Sequence, residues 1–209
     1  MRNGSPINEV VLSKGRLEAL SDGLFAIVMT LLVLELKIPE LAKGFPDEEL
    51  VHKLKELWPV LFSFVVTFIL SGAFWLLHQL SFHFIRHTTR TLCWINLFFL
   101  MFVSVLPFST GMMGRYLSRP VAMYVYYGNQ TLIGLGLLAH WRFALSRGLV
   151  QADLDSRAVN QLTSRILMLP LAFGAALIMT AIRPALAMTG FAAVLAVFRI
   201  REMRRARMA

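Results

Sequence analysis

The chain alternates long apolar runs with short polar segments, and within the runs no two-residue alternation of polar and apolar positions is sustained. A run of about 18 or more apolar residues matches the hydrocarbon thickness of a bilayer. Backbone groups surrounded by lipid must be paired within their own segment, so runs of this kind form helices. The lack of a two-residue period argues against barrel strands. The pattern predicts six transmembrane helices, over approximately Arg16–Leu36, Leu57–Phe82, Leu92–Met113, Pro120–Trp141, Leu162–Ile182 and Pro184–Ile200. Arg183-Pro184 separates the last two, because proline cannot continue the helix before it. The expected fold class is all-α: a polytopic membrane protein forming one six-helix domain over residues 1–209.

Composition agrees with the pattern. Hydrophobic residues make up 57% of the chain and charged residues 16%, against roughly a quarter charged in soluble domains. Met1 to Val10 is polar and unlike a cleavable signal peptide, so the first helix is expected to stay in the mature protein. Cys93 is the single cysteine, which rules out an intrachain disulfide and a multi-cysteine metal site. The formal charge of +9 lies mostly in loops between apolar runs, where it meets lipid headgroups; no nucleic-acid partner is expected. With six spans, 14 Lys and Arg residues fall on the side of the termini and seven on the other. The positive-inside rule therefore predicts a cell-membrane protein with both termini cytoplasmic. The external linker, Ile38 to Glu56, holds Glu40, Asp47, Glu48, Glu49 and Glu56. It reads either as an acidic vestibule that concentrates cations or as a solvated linker with a short amphipathic turn.

Most polar residues sit near helix ends, but Arg16-Leu-Glu-Ala-Leu-Ser-Asp-Gly23 enters the first span directly. Charged and hydroxyl groups entering an apolar span point to pairing or function. At about 100° per residue, Arg16, Leu20, Gly23, Ile27 and Leu34 share one narrow stripe, flanked by Thr30 and Leu31. Asp22 lies off that stripe, which casts it as a packing residue facing neighbouring helices. Without further information, such a stripe is most simply buried against another helix.

The same segment resembles the signature Arg-x-x-x-Phe-Ser-Asp-Gly of the transmembrane protein 175 potassium channels, with Leu20 in place of the phenylalanine. Ala26-Ile27, Thr30 through Glu35, Pro39, and Asn96 through Pro107-Phe108 also fit that family. The resemblance implies a homotetrameric, potassium-selective channel in which four first helices surround a central pore. It implies passive conduction past rings of side chains and apolar constrictions, here Ile27, Thr30, Leu31 and Leu34, with potassium as the permeant ion and no cofactor. A Thr-Val-Gly-Tyr-Gly filter is absent from the chain; Tyr126-Tyr-Gly128 lies inside an apolar run. The resemblance also supports a structural network of Arg16, Ser21, Asp22, Gly23, Trp75, His78 and Asn96, in which His78 bonds the Ser21-Asp22 turn.

Other groupings are weaker. His83 and His87 have the four-residue spacing that can chelate a metal from one helix face, but too few histidines remain to complete a site. No metal is expected. Asn129 and Gln130 interrupt the fourth span and are expected to face a subunit interface. Ala172 and Ala176 suit close helix packing, and Trp58, Trp94 and Trp141 read as interfacial anchors. Nothing resembles a nucleophile–base pair or a phosphate loop, so no enzyme is expected. The competing function is a proton-coupled or proton-conducting transporter using Asp22 and His78 as a relay. The lack of a repeated half within the chain weakens it.

Overall fold

The computed structural model describes residues 13–39 and 44–187, which form helices and turns with one isolated β-bridge. The helices are α1 (Lys14–Leu31), α2 (Asp47–Glu56), α3 (Trp58–Phe84), α4 (Arg90–Ser104), α5 (Leu106–Arg115), α6 (Pro120–Ser146) and α7 (Ser156–Ile182). Four stretches are long and apolar enough to cross a membrane: Lys14–Glu35, Trp58–Phe84, Arg90–Arg115 and Ser156–Ile182. The fourth predicted span is α6, as long as α3, but Asn129, Gln130 and its tyrosines make it too polar to count among them. Of the sixth predicted span only the short 3-10 turn Pro184–Leu186 and Ala187 are described; the remainder lies outside the described residues.

Two spans depart from straight helices. The first tightens into a 3-10 turn at Leu32–Glu35. The third breaks at Val105, because Pro107 lacks the N–H that would bond the carbonyl of Val103. The linker between the first two predicted spans contains α2, a ten-residue helix rather than a single turn.

The ends of the helices show how the chain winds. Ile85 pairs with Val150 in an antiparallel bridge, and Arg86 N donates to Leu149 O at 2.8 Å, which places the C-terminal ends of α3 and α6 together. At the opposite end, Arg115 Nη2 donates to Glu35 Oε2 at 2.8 Å, tying the end of the first span to the end of α5. Gly111 makes that approach possible: a Cβ there would stand 2.6 Å from Glu35 Cδ. Consecutive spans thus run in alternate directions.

The core is built where α1, α3, α4, α6 and α7 meet, from Phe25, Phe74, Phe99, Ile133, Leu137, Ile166 and Phe173 among others. Cross-helix hydrogen bonds link it: Thr67 Oγ1 with Tyr126 OH at 3.0 Å, Asn129 Nδ2 to Ser109 Oγ at 3.2 Å, and Trp141 Nε1 to Thr163 Oγ1 at 2.9 Å. Such bonds contribute on the order of 1 kcal/mol each in a membrane. They correct two expectations. Trp141 is buried between α6 and α7 and is no interfacial anchor, while Trp58 and Trp94 are exposed. Asn129 and Gln130 are buried within the subunit and do not face outward.

Helix α6 packs most extensively on α7. Ala172 and Ala176 are fully buried there, and Gly134 accepts the ring of Pro170 directly. A Cβ at position 134 would lie 2.7 Å from Pro170 Cδ and 2.9 Å from its backbone nitrogen, and a proline ring cannot swing aside. Gly134→Ala is therefore expected to destabilise the protein by about 1–3 kcal/mol through overpacking, read as an earlier thermal transition in detergent. Gly128→Ala, which meets nothing within 4 Å, should leave the transition in place.

Candidate functional site: the first helix and its support

Helix α1 presents two different faces. Leu17, Ser21, Phe25, Val28 and Leu32 recur at three- and four-residue steps and are buried against α3, α4 and α5. The other face carries Arg16, Leu20, Gly23, Ile27, Thr30, Leu31 and Leu34, all exposed in the single chain. Ile27 is 60% exposed and Leu34 66%, against 2% for Val28 and none for Leu32. The stripe is the face of α1 left open among the described residues.

The 3-10 turn refines this stripe. Residues three apart eclipse in a 3-10 helix, so Leu34 stacks over Leu31 more closely than an unbroken α-helix would place it. Thr30 Oγ1 donates to Ile27 O at 2.7 Å. That bond uses the hydroxyl's one donor and turns its lone pairs outward, as an acceptor on an otherwise apolar surface.

On the supported side a polar network holds α1. Ser21 Oγ donates to Leu17 O at 2.9 Å and accepts from Asn96 Nδ2 at 3.1 Å. The amide of Asn96 is thereby oriented, so its Oδ1 must accept the proton of His78 Nε2, at 2.8 Å. His78 is the Nε2–H tautomer. Asp22 Oδ1 accepts from Trp75 Nε1 at 2.9 Å and also from Gln79 Nε2. The structure brings Ser21, Asp22, Trp75, His78 and Asn96 together as two linked clamps, on α3 and α4. His78 reaches Ser21 only through Asn96. Arg16 and Gly23 stand apart: both are exposed, and the Arg16 side chain makes no hydrogen bond or ion pair among the described residues.

Two partners escape sequence reasoning. Gln79 completes the Asp22 clamp one residue beyond His78, and His140 stacks on Phe82 with ring centroids 4.9 Å apart and lies 5.7 Å from His78. A polar residue inside an apolar run, as in Leu138-Ala-His140-Trp, was the available signal. His83 and His87 do not share a helix face, because α3 ends at Phe84. Among the described residues, no three His, Cys, Asp or Glu side chains form a ligand group.

The family model for the Endosomal/lysosomal potassium channel TMEM175 matches residues 16–107, which cover α1 and its whole supporting network. A protein of Chamaesiphon minutus named a potassium channel is 34% identical over 155 residues, 72% of this chain and 76% of that one. The chain belongs to the TMEM175 family. A second TMEM175 relative, a Streptomyces collinus protein named a potassium channel, is 39% identical over 111 residues, and the chain spans only about half of its length, 52%. Among solved structures, the crystal structure of a lysosomal potassium-selective channel TMEM175 homolog from Chamaesiphon minutus superposes with a TM-score of 0.75. That comparison covers 90% of this chain and 97% of the other at 29% identity. The matched residues thus include the helix whose Ile27, Leu31 and Leu34 face is exposed among the described residues.

Proposed function

We propose that this protein is one subunit of a potassium-selective channel of the cell membrane, with both termini cytoplasmic, in which four copies turn the open face of α1 toward a common pore. The observation that carries the reading is the exposure of Ile27, Leu31 and Leu34 beside buried Val28 and Leu32. The potassium-channel relatives support it. One helix cannot enclose a pore, so several copies must close a ring, and four is the number in keeping with the family resemblance.

In this arrangement Ile27, Leu31 and Leu34 form stacked apolar rings, with Thr30 as the nearby ring of oxygens. An apolar constriction dewets and blocks ions without a plug. When the rings widen, the outward lone pairs of Thr30 replace part of the water that a potassium ion sheds. Asp22 acts through Trp75 and Gln79 to hold the helix and does not meet the ion.

Purified protein in potassium-loaded liposomes is expected to pass potassium down its gradient faster than sodium, without stoichiometric proton movement. Crosslinking of the same preparation should stop at four subunits. Flux that requires a counter-moving proton would favour the transporter reading, and conduction by a crosslink-resistant monomer would reject the shared pore.

A further inference from the structure

Helix α2 buries none of its ten residues. Val51 and Leu54 are exposed on it, and Trp58, at the start of α3, is 65% exposed. These three residues border an open apolar groove together with Lys55. Polar side chains occupy the opposite side: Glu49, His52, Lys53 and Glu56, where Glu56 receives Lys53 Nζ at 3.0 Å and His52 Nδ1 lies 3.3 Å away. Lys53 holds the Glu56 carboxyl below its ordinary range, so that side stays charged.

The apolar side does not stop at α2. On α3, Trp58, Phe62, Val65 and Ile69 recur at four-, three- and four-residue steps and so share one face; these residues, like Val51 and Leu54 on α2, are all exposed. Phe62, Val65 and Ile69 belong to a stretch long and apolar enough to cross a bilayer. The apolar side of α2 thus meets the exposed apolar stripe of α3 at Trp58, with which Val51 and Leu54 share the groove. Pro59 lacks the N–H that would bond the Lys55 carbonyl, so the helix breaks at Leu57 and α2 can lean away from the axis of α3. With 27 residues, α3 is about 40 Å long, some 10 Å more than the hydrocarbon layer. Its first residue, Trp58, accordingly falls at headgroup depth, with α2 just beyond it.

We infer that α2 is a membrane-surface helix whose Val51–Leu54–Trp58 face inserts into the lipid interface beside the subunit. Its charge selects the kind of lipid. Asp47, Glu48, Glu49 and Glu56 outnumber Lys53 and Lys55, so the helix suits a zwitterionic phosphatidylcholine-like surface and is repelled by an anionic one. An amphipathic helix in this plane buries its apolar face about 5–10 Å into the boundary. By this means α2 would fix the height of α3 in the bilayer and the position of the loop that leaves α1.

Spin labels at Val51→Cys, Leu54→Cys and Glu49→Cys test the placement in full-length protein with Cys93→Ala, reconstituted in phosphatidylcholine vesicles. Collision with lipid-soluble oxygen relative to a water-soluble nickel chelate is expected to be several-fold higher at 51 and 54 than at 49. That difference should shrink as phosphatidylglycerol replaces phosphatidylcholine. Water-like ratios at 51 and 54 would place the helix in solvent at a pore mouth and overturn the inference. Shielding of both sites from both reagents would also overturn it, by showing a second copy on this face. A further measurement does not depend on labelled variants. The fluorescence difference between wild type and Trp58→Phe should be quenched by lipids brominated near the headgroup; quenching by aqueous iodide alone would refute the placement.

Discussion

Replacing Ile27 with asparagine is expected to raise resting potassium leak about tenfold or more and to lower the preference for potassium over sodium. Ile27 is the widest-exposed apolar residue in the middle of α1, and among the described residues most of its surface is uncovered. Its substitution therefore strands no buried partner and leaves the fold intact. In a ring of four, however, it removes the apolar lining that keeps the constriction dry. Each ~1.4 kcal/mol taken from a barrier raises a rate tenfold, so even partial rewetting is easily measured. Reconstituted flux at matched protein density is the appropriate assay. Val28→Asn serves as the control on the same helix: Val28 is buried, so its variant should lose protein yield and gain no leak. Equal leak from both variants, or leak from neither, would move the pore to another face.

Asp22→Ala should have the largest effect on stability and assembly. Its carboxylate accepts from both Trp75 and Gln79. Truncation leaves a half-buried indole N–H and amide without their acceptor. A stranded donor costs about 1–3 kcal/mol, and two of them on one helix loosen the docking of α1 on α3. The expected outcome is a fall in the tetramer fraction on size exclusion and an earlier thermal transition. The surviving assemblies should retain near-normal ion preference. Asp22→Asn keeps an acceptor oxygen at the same position and should recover much of the loss. A fully assembled Asp22→Ala protein with sharply altered selectivity would place this carboxylate in the ion path instead.

The parts of this molecule that the sequence makes legible are those governed by solvent. Long apolar runs mark helical segments, because lipid leaves the backbone no other way to satisfy its hydrogen bonds. The α1 stripe is legible for a related reason: helical period puts Ile27, Leu31 and Leu34 together whatever surrounds them. The Ser21-Asp22 turn is equally plain, as two polar residues entering an apolar run. The same logic misreads residues whose partners come from distant helices. Trp141 has the position of an interfacial anchor, yet Thr163 on α7 accepts its N–H inside the subunit. Asn129 has the polarity of an interface residue, yet Ser109 on α5 accepts from it.

By itself, then, the sequence determines the helical form of the runs, the polar entry to α1 and which of its residues share a face. Only the tertiary structure decides which face is open. Hydrophobicity does not distinguish them, since Ile27 and Val28 are equally apolar; the difference arises because α3, α4 and α5 close over one side of α1 and leave the other bare. The tertiary structure also decides who holds Asp22. Trp75 and Gln79 lie more than fifty residues away, and a polar side chain in lipid takes whichever donor the packing brings within reach.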